Sequence, residues 1–174
     1  MLNNRLSREF YTRDVLEVAP GLLGQLLVRK FDDGSIQKFM IHEVEAYRGE
    51  EDLACHASKG RSKRTEIMYH EGGHLYVYLI YGMYWMLNIV TGKKENPQAV
   101  LIRGISNYTG PGKLAKNLKI DKTFYGMDLT SSELIWIEPD LIIPGKNIIT
   151  TPRIGIDYAG NIWKNKPWRF ILKT

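Results

Sequence analysis

Hydrophobic and polar positions change period along this chain, and the changes mark out its elements. Val15, Val18 and Leu22 recur at helical spacing behind Asp14, which predicts a short helix capped by that aspartate and kinked or ended at Ala19-Pro20. Strand-like runs follow at Leu26–Lys30 and Lys38–Tyr47, joined by the turn signal Asp32-Asp33-Gly34. Residues 49–73 then lose all period and read as a polar, charged loop closed by Gly72-Gly73. A loop of that length in a compact domain usually serves function.

From His74 to Asn88 the chain reads HLYVYLIYGMYWMLN, a hydrophobic hairpin pattern holding four of the ten tyrosines. Alternation sends Tyr76, Tyr78 and Ile80 to one face and Leu75, Val77, Leu79 and Tyr81 to the other, with Tyr81-Gly82 at the turn. Strands favour tyrosine and tryptophan, so by itself the segment reads as a core hairpin. Its aromatic walls and aromatic tip also suit a flat ligand, such as a nucleobase, taken up by stacking.

Another strand is predicted at Ala99–Ile105, and a helix beginning at Gly110-Pro111-Gly112. Leu114, Ala115 and Leu118 form the helix's apolar face, with Lys113, Lys116 and Lys119 opposite. Short strands near Leu134–Ile137 and Trp168–Leu172 complete the pattern. The expected architecture is one α+β domain over residues 1–174, a mainly antiparallel, curved sheet with flanking helices and a protruding β-hairpin.

Composition adds a partner to this picture. The 174 residues, 44% hydrophobic and 25% charged, fit one globular domain. A polar start (MLNNRLSREF), the lack of any membrane-length apolar run and a single cysteine, Cys55, predict a cytosolic protein with no membrane partner and no internal disulfide. The formal charge is +5, and the basic residues cluster: Lys59, Arg61, Lys63 and Arg64 in KGRSKR, then Lys113, Lys116 and Lys119, then Lys164, Lys166 and Arg169. Acids bunch instead between Glu43 and Asp52. Basic surface around an acidic knot suits an enzyme that binds a polyanion and works with a carboxylate; each cluster singly reads as solvated surface. Arg61, Arg64, Gly112, Lys113 and Lys116 are the candidates for contacts to the polyanion's phosphate backbone, with exposed helix-start N–H groups reinforcing the lysines.

Candidate chemistry sits in IHEVEAY. Alternation puts Glu43, Glu45 and Tyr47 on one face, and a carboxylate on a rigid strand beside a tyrosine can be held closely enough to activate water. By itself the segment reads as an edge strand with a solvated outer face. Arg103, inside the apolar run VLIRGI, needs a carboxylate or phosphate partner unless it lies at the strand's wet end. His56 and Asn88 each offer a polar group to a ligand or to the interior. His70-Glu71-Gly72-Gly73-His74 spells the zinc signature H-E-x-x-H, with Glu95 as a nominal third ligand, but the motif requires a helix and two adjacent glycines before a strand argue against one. Neither a metal nor another cofactor is expected.

Taken together, EVEAYRG at 43–49, His56, LYVYLIYGMYWMLNIV at 75–90, VLIRG at 100–104, GPGKLAKNL at 110–118 and RIGI at 153–156 resemble the alkyladenine (3-methyladenine) DNA glycosylase family, in order and spacing from about Arg13 to Leu172. The resemblance implies an enzyme that rotates alkylated or deaminated purines out of duplex DNA and hydrolyses the N-glycosidic bond. It makes Tyr81 the wedge left in the helix, Tyr47 and Tyr78 the base sandwich with His56 beside it, and Asn88 the residue that crowds a purine's 2-amino group. It makes Glu45 the carboxylate that activates water, and Arg103 its support. A monofunctional, monomeric glycosylase without metal follows.

Two departures stand out. Family members usually carry a longer segment before GPGKL, whereas this chain passes from Arg103 through ISNYT to Gly110. The stretch KGRSKRTEIMY has Thr65 where asparagine is usual. The competing readings are a catalytically silent damaged-DNA-binding protein and a zinc hydrolase built on HEGGH.

Overall fold

The computed structural model describes residues 4–173; residues 1–3, the first of the polar start, and residue 174 lie outside it. Two helices open the chain, α1 (Arg8–Tyr11) and α2 (Val15–Leu22). The Asp14 side chain accepts the Leu16 N–H at 2.9 Å, the expected cap. Pro20 does not end α2, which runs on to Leu22, although its missing N–H forgoes the bond to the Leu16 carbonyl; the Asp14 cap and the buried Val15, Val18, Ala19 and Leu22 hold the helix.

Strands β1 (Leu26–Lys30) and β2 (Ile36–Arg48) are joined by a tight turn in which the Phe31 N–H donates to the Ser35 carbonyl. The hairpin β3 (Leu75–Ile80) and β4 (Tyr84–Thr91) leads to β5 (Gln98–Ile105) and β6 (Tyr108–Thr109), then α3 (Pro111–Asn117). After β7 (Ile135–Glu138) come β8 (Ile148–Thr151), α4 (Gly160–Lys164) and β9 (Arg169–Leu172). The expected strands are all present; α1, β6, β8 and α4 are additional.

All named pairings are antiparallel, and the order β3-β4-β5-β2-β1-β7 gives a sheet that does not close. The long β2 organises it. Its first half pairs with β1, and its second half lies between β5 and β9. Register then sorts side chains by face. Glu45 pairs with Leu101, which pairs with Asn88, which pairs with Tyr76, so these four point the same way. Val44, Ile102, Leu87, Leu75 and Phe170 point the other way, into the main core with α2 and Leu114, Ala115 and Leu118 of α3.

The other face is covered by the long stretch after β2. It contains two 3₁₀ turns, His56–Lys59 and Glu66–Tyr69, and no strand. Cys55, Ala57, Ile67, Met68 and Tyr69 pack against Tyr76, Val90 and Ala99 in a second, smaller core. The loop is therefore an ordered cap with its own apolar anchor, and it leaves part of the sheet face uncovered.

Candidate active site

That uncovered part is the floor of a cavity of about 810 Å³. Tyr47, Leu101, Arg103, Asn88 and Tyr78 come from the sheet, His56 from the first 3₁₀ turn, Gly112 and Lys113 from the start of α3, and Ile154 and Tyr158 from the segment before α4. Tyr81 stands at its mouth, 84% exposed.

Glu45 is fully buried beneath this cavity. One carboxylate oxygen accepts the Ile154 backbone N–H at 2.7 Å, the other the Tyr47 hydroxyl at 2.8 Å, and Arg103 Nε lies 3.6 Å away. Burial raises the carboxyl's pKa, and Arg103, the Ile154 N–H and the Tyr47 hydroxyl partly offset that rise. The result is a carboxylate more basic than a surface glutamate. Burial also holds the Tyr47 hydroxyl well above the ordinary tyrosine range, so it stays a donor.

The aromatic groups converge as the alternation of β3 predicts. The ring centroids of His56 and Tyr78 are 4.7 Å apart, those of Tyr76 and Tyr78 5.2 Å. His56 Nδ1 and the Tyr76 hydroxyl share a 2.8 Å hydrogen bond. Burial, reinforced by Arg64 and Lys59, lowers the His56 pKa to about 4, so the imidazole is neutral at pH 7. Asn88 is buried, its amide nitrogen donating to the Tyr76 carbonyl at 3.1 Å.

The basic candidates divide. Arg64 places its guanidinium 4.9 Å from the centre of the Tyr78 ring, and Lys113 lines the rim. Gly112 carries no Cβ because one would lie 2.9 Å from Cδ1 of Tyr84, so the helix start nests against the hairpin. Arg61 instead pairs with Glu66 at 2.7 Å and Glu95 at 2.8 Å, and Lys116 is exposed on α3 outside the cavity lining.

Sequence reasoning missed the second layer. Arg153 is fully buried, bonds both oxygens of Asp52 at 2.6 and 2.9 Å, and lies 4.8 Å from the centre of the Tyr47 ring. Asp52 also accepts the backbone N–H groups of Arg48 and Ala54, tying the loop after β2 to the Arg153 segment. This fixes the Ile154 N–H on Glu45. The only sequence signal was RIGI itself, an arginine beside apolar residues after a proline.

His70-Glu71-Gly72-Gly73-His74 is not helical: the 3₁₀ turn ends at Tyr69 and β3 begins at Leu75. A Cβ on Gly72 would lie 2.1 Å from the Tyr11 carbonyl oxygen, so close backbone approach accounts for that glycine. Among the described residues no group of three or more His, Cys, Asp or Glu could hold a metal ion. Cys55 is a buried thiol, pushed up to about 12 by that burial.

A cavity with aromatic walls thus lies over a buried carboxylate, on a basic chain. The comparisons with known proteins specify the family. The methylpurine-DNA glycosylase family matches residues 9–109 and 106–174, the break falling at the short connection before Gly110. A Borrelia garinii subsp. bavariensis protein is 44% identical over 97% of this chain and 96% of its own length. A protein of Legionella pneumophila (strain Corby) is 45% identical over 97% and 94%, and one of Methanocella arvoryzae is 43% identical over 97% and 92%. All three carry the name "Putative 3-methyladenine DNA glycosylase". The chain belongs to the methylpurine-DNA glycosylase family. It is a DNA N-glycosylase, a hydrolase of base excision repair.

Proposed function

We propose that this enzyme acts on alkylated and deaminated purines of the 3-methyladenine, 7-methylguanine, hypoxanthine and ethenoadenine class, as a monomer on duplex DNA in the cytosol. Tyr81 enters the helix as the nucleotide rotates out, and the base lodges between Tyr47 and Tyr78 with His56 at its edge. Asn88 crowds a 2-amino group and so opposes normal guanine.

The observation that carries this reading is the place of Glu45: ionisable, fully buried, and held at the base of an aromatic slot by two hydrogen-bond donors, with Arg103 3.6 Å away. A protein that merely bound DNA would gain nothing from a buried negative charge facing a polyanion. As a base, Glu45 takes a proton from water attacking the anomeric carbon and offsets positive charge developing on the sugar. Arg103 keeps the carboxylate ionised and oriented. Water is the nucleophile, so the product is an abasic site in an uncut strand, and the enzyme is monofunctional. A cationic alkylated base leaves without an acid.

The test is a panel of duplexes, each with one lesion, incubated with excess enzyme and then cleaved by alkali at abasic sites. Wild type should release alkylated bases, and Glu45→Gln should be slower by about 10²–10⁴-fold with DNA binding retained. Abasic sites made by Glu45→Gln at the normal rate would falsify the catalytic assignment.

A further inference from the structure

Glu43, two residues before Glu45, has no part in the mechanism above, yet it is buried with two arginines on one oxygen. Arg169 Nε donates to Glu43 Oε1 at 2.7 Å and Arg103 Nε to the same atom at 3.2 Å. Arg103 is also near Glu45, but at 3.6 Å it lies beyond hydrogen-bond reach. The register makes the choice of partner telling. Arg169 lies directly across β9 from Glu45, while Glu43 faces Ile171. The Arg169 guanidinium nevertheless takes the diagonal to Glu43, with a 3.4 Å contact to Thr151 on β8. On the other side of β2 the pairing with β5 shifts register both before and after Glu43.

We propose that Glu43 and Arg169 are a positioning pair for the glycosylase reaction: Glu43 draws both guanidinium groups to itself, so that Arg103 stays beside Glu45 without closing on it. The inference rests on the reading of Glu45 as the base. Among the described residues the pair leaves Glu45 hydrogen-bonded only to the Ile154 N–H and the Tyr47 hydroxyl, with lone-pair capacity for water. An arginine closed on Glu45 would occupy that capacity and make it a weaker base.

The other groups facing Glu45 are fixed in charge. Tyr47 on β2, Tyr78 on β3 and Tyr158 before α4 all have raised pKa values from burial and stay neutral. Arg153 is matched by Asp52. The side chains left to bias Glu45 are therefore Glu43, Arg103 and Arg169, joined on one oxygen of Glu43.

The experiment is the pH dependence of single-turnover release of 3-methyladenine from methylated duplex DNA, a cationic base whose departure needs no acid. The acid limb of the profile reports ionisation of the base. Glu43→Gln removes a neighbouring negative charge and frees Arg103 to close on Glu45, so the limb should move down by about one pH unit and the plateau fall roughly tenfold. Arg169→Gln leaves Glu43 underneutralised, so the limb should move up by a similar amount; Arg169→Lys, which keeps the charge, should restore it. Limb position does not depend on how much enzyme is folded, so partial misfolding does not obscure the reading. Limbs that stay put, or move the same way in Glu43→Gln and Arg169→Gln, overturn the proposal while Glu45→Gln stays as slow as expected above. A normal rate in Glu45→Gln would instead overturn the parent reading.

Discussion

A carboxylate buried as deeply as Glu45 opposes folding at neutral pH. Its folded pKa is raised, so between the ordinary glutamate value of 4.5 and its folded value the native state holds the extra proton. Stability from this group is therefore lost as pH rises through the folded pKa. Glu45→Gln keeps the shape and an acceptor for the Ile154 N–H, and it should be more stable than wild type at pH 7. A gain on the order of 1 kcal/mol, about 3 °C in a chain of this size, is expected. Melting curves at pH 7 check this, and a lower melting temperature would count against the account. His56 behaves in the opposite sense. Its folded pKa of about 4 lies below the ordinary 6.5, so the unfolded chain takes up the proton first as pH falls. Stability is lost on acidification through that window, and His56→Gln should lose less than wild type between those pH values in thermal melts. Strand alternation places Glu43, Glu45 and Tyr47 on one face, but singling out Glu45 and joining Arg103 to it takes the family resemblance, because alternation within one strand does not say what lies across from it. The Ile154 N–H and the Arg153–Asp52 pair were not legible in the sequence, since their partners lie 109 and 101 residues away and no local period connects them.

The tyrosine hairpin shows the same division one level up. Its strands and their faces follow from alternation, and the turn falls where Tyr81-Gly82 places it. What the pattern does not convey is the backbone of the tip. Tyr81 has φ +53° and Gly82 φ +67°, and the Met83 N–H closes the turn on the Ile80 carbonyl. A tyrosine there is strained, where glycine is not. Tyr81 is so exposed that replacing it costs little packing. Tyr81→Gly should therefore raise stability by about 0.5–1 kcal/mol in urea titration, while slowing extrusion of lesions in fully paired duplexes more than of mispaired ones. A variant that was both less stable and equally active would reject the strained-wedge account. Strand β8 escaped notice for a different reason: four residues that pair only with β9 offer too short a run to separate from the loop around them.

On the scale of the molecule, the question is which positive charges meet DNA. The formal +5 comes from 24 Lys and Arg against 19 Asp and Glu, and geometry decides which of them are available to phosphate. Arg61, attractive in sequence as part of KGRSKR, pairs with Glu66 and Glu95. Lys113 and Lys116 project from α3, which the short β5–β6 turn brings close to the cavity mouth. Counterion release gives each phosphate contact a slope of about −0.9 in log affinity against log salt on duplex DNA. Replacing Lys113 and Lys116 together by glutamine should flatten the slope by roughly two contacts' worth. Arg61→Gln should leave it nearly unchanged, because the charge it removes is already balanced by the protein's own acids. Titration of a fluorescent lesion duplex at several salt concentrations, in the Glu45→Gln background to prevent turnover, measures both. Should Arg61→Gln flatten the slope as much as the lysine pair does, its ion pairs must open on DNA, and the basic loop after β2, not α3, would be the principal phosphate contact.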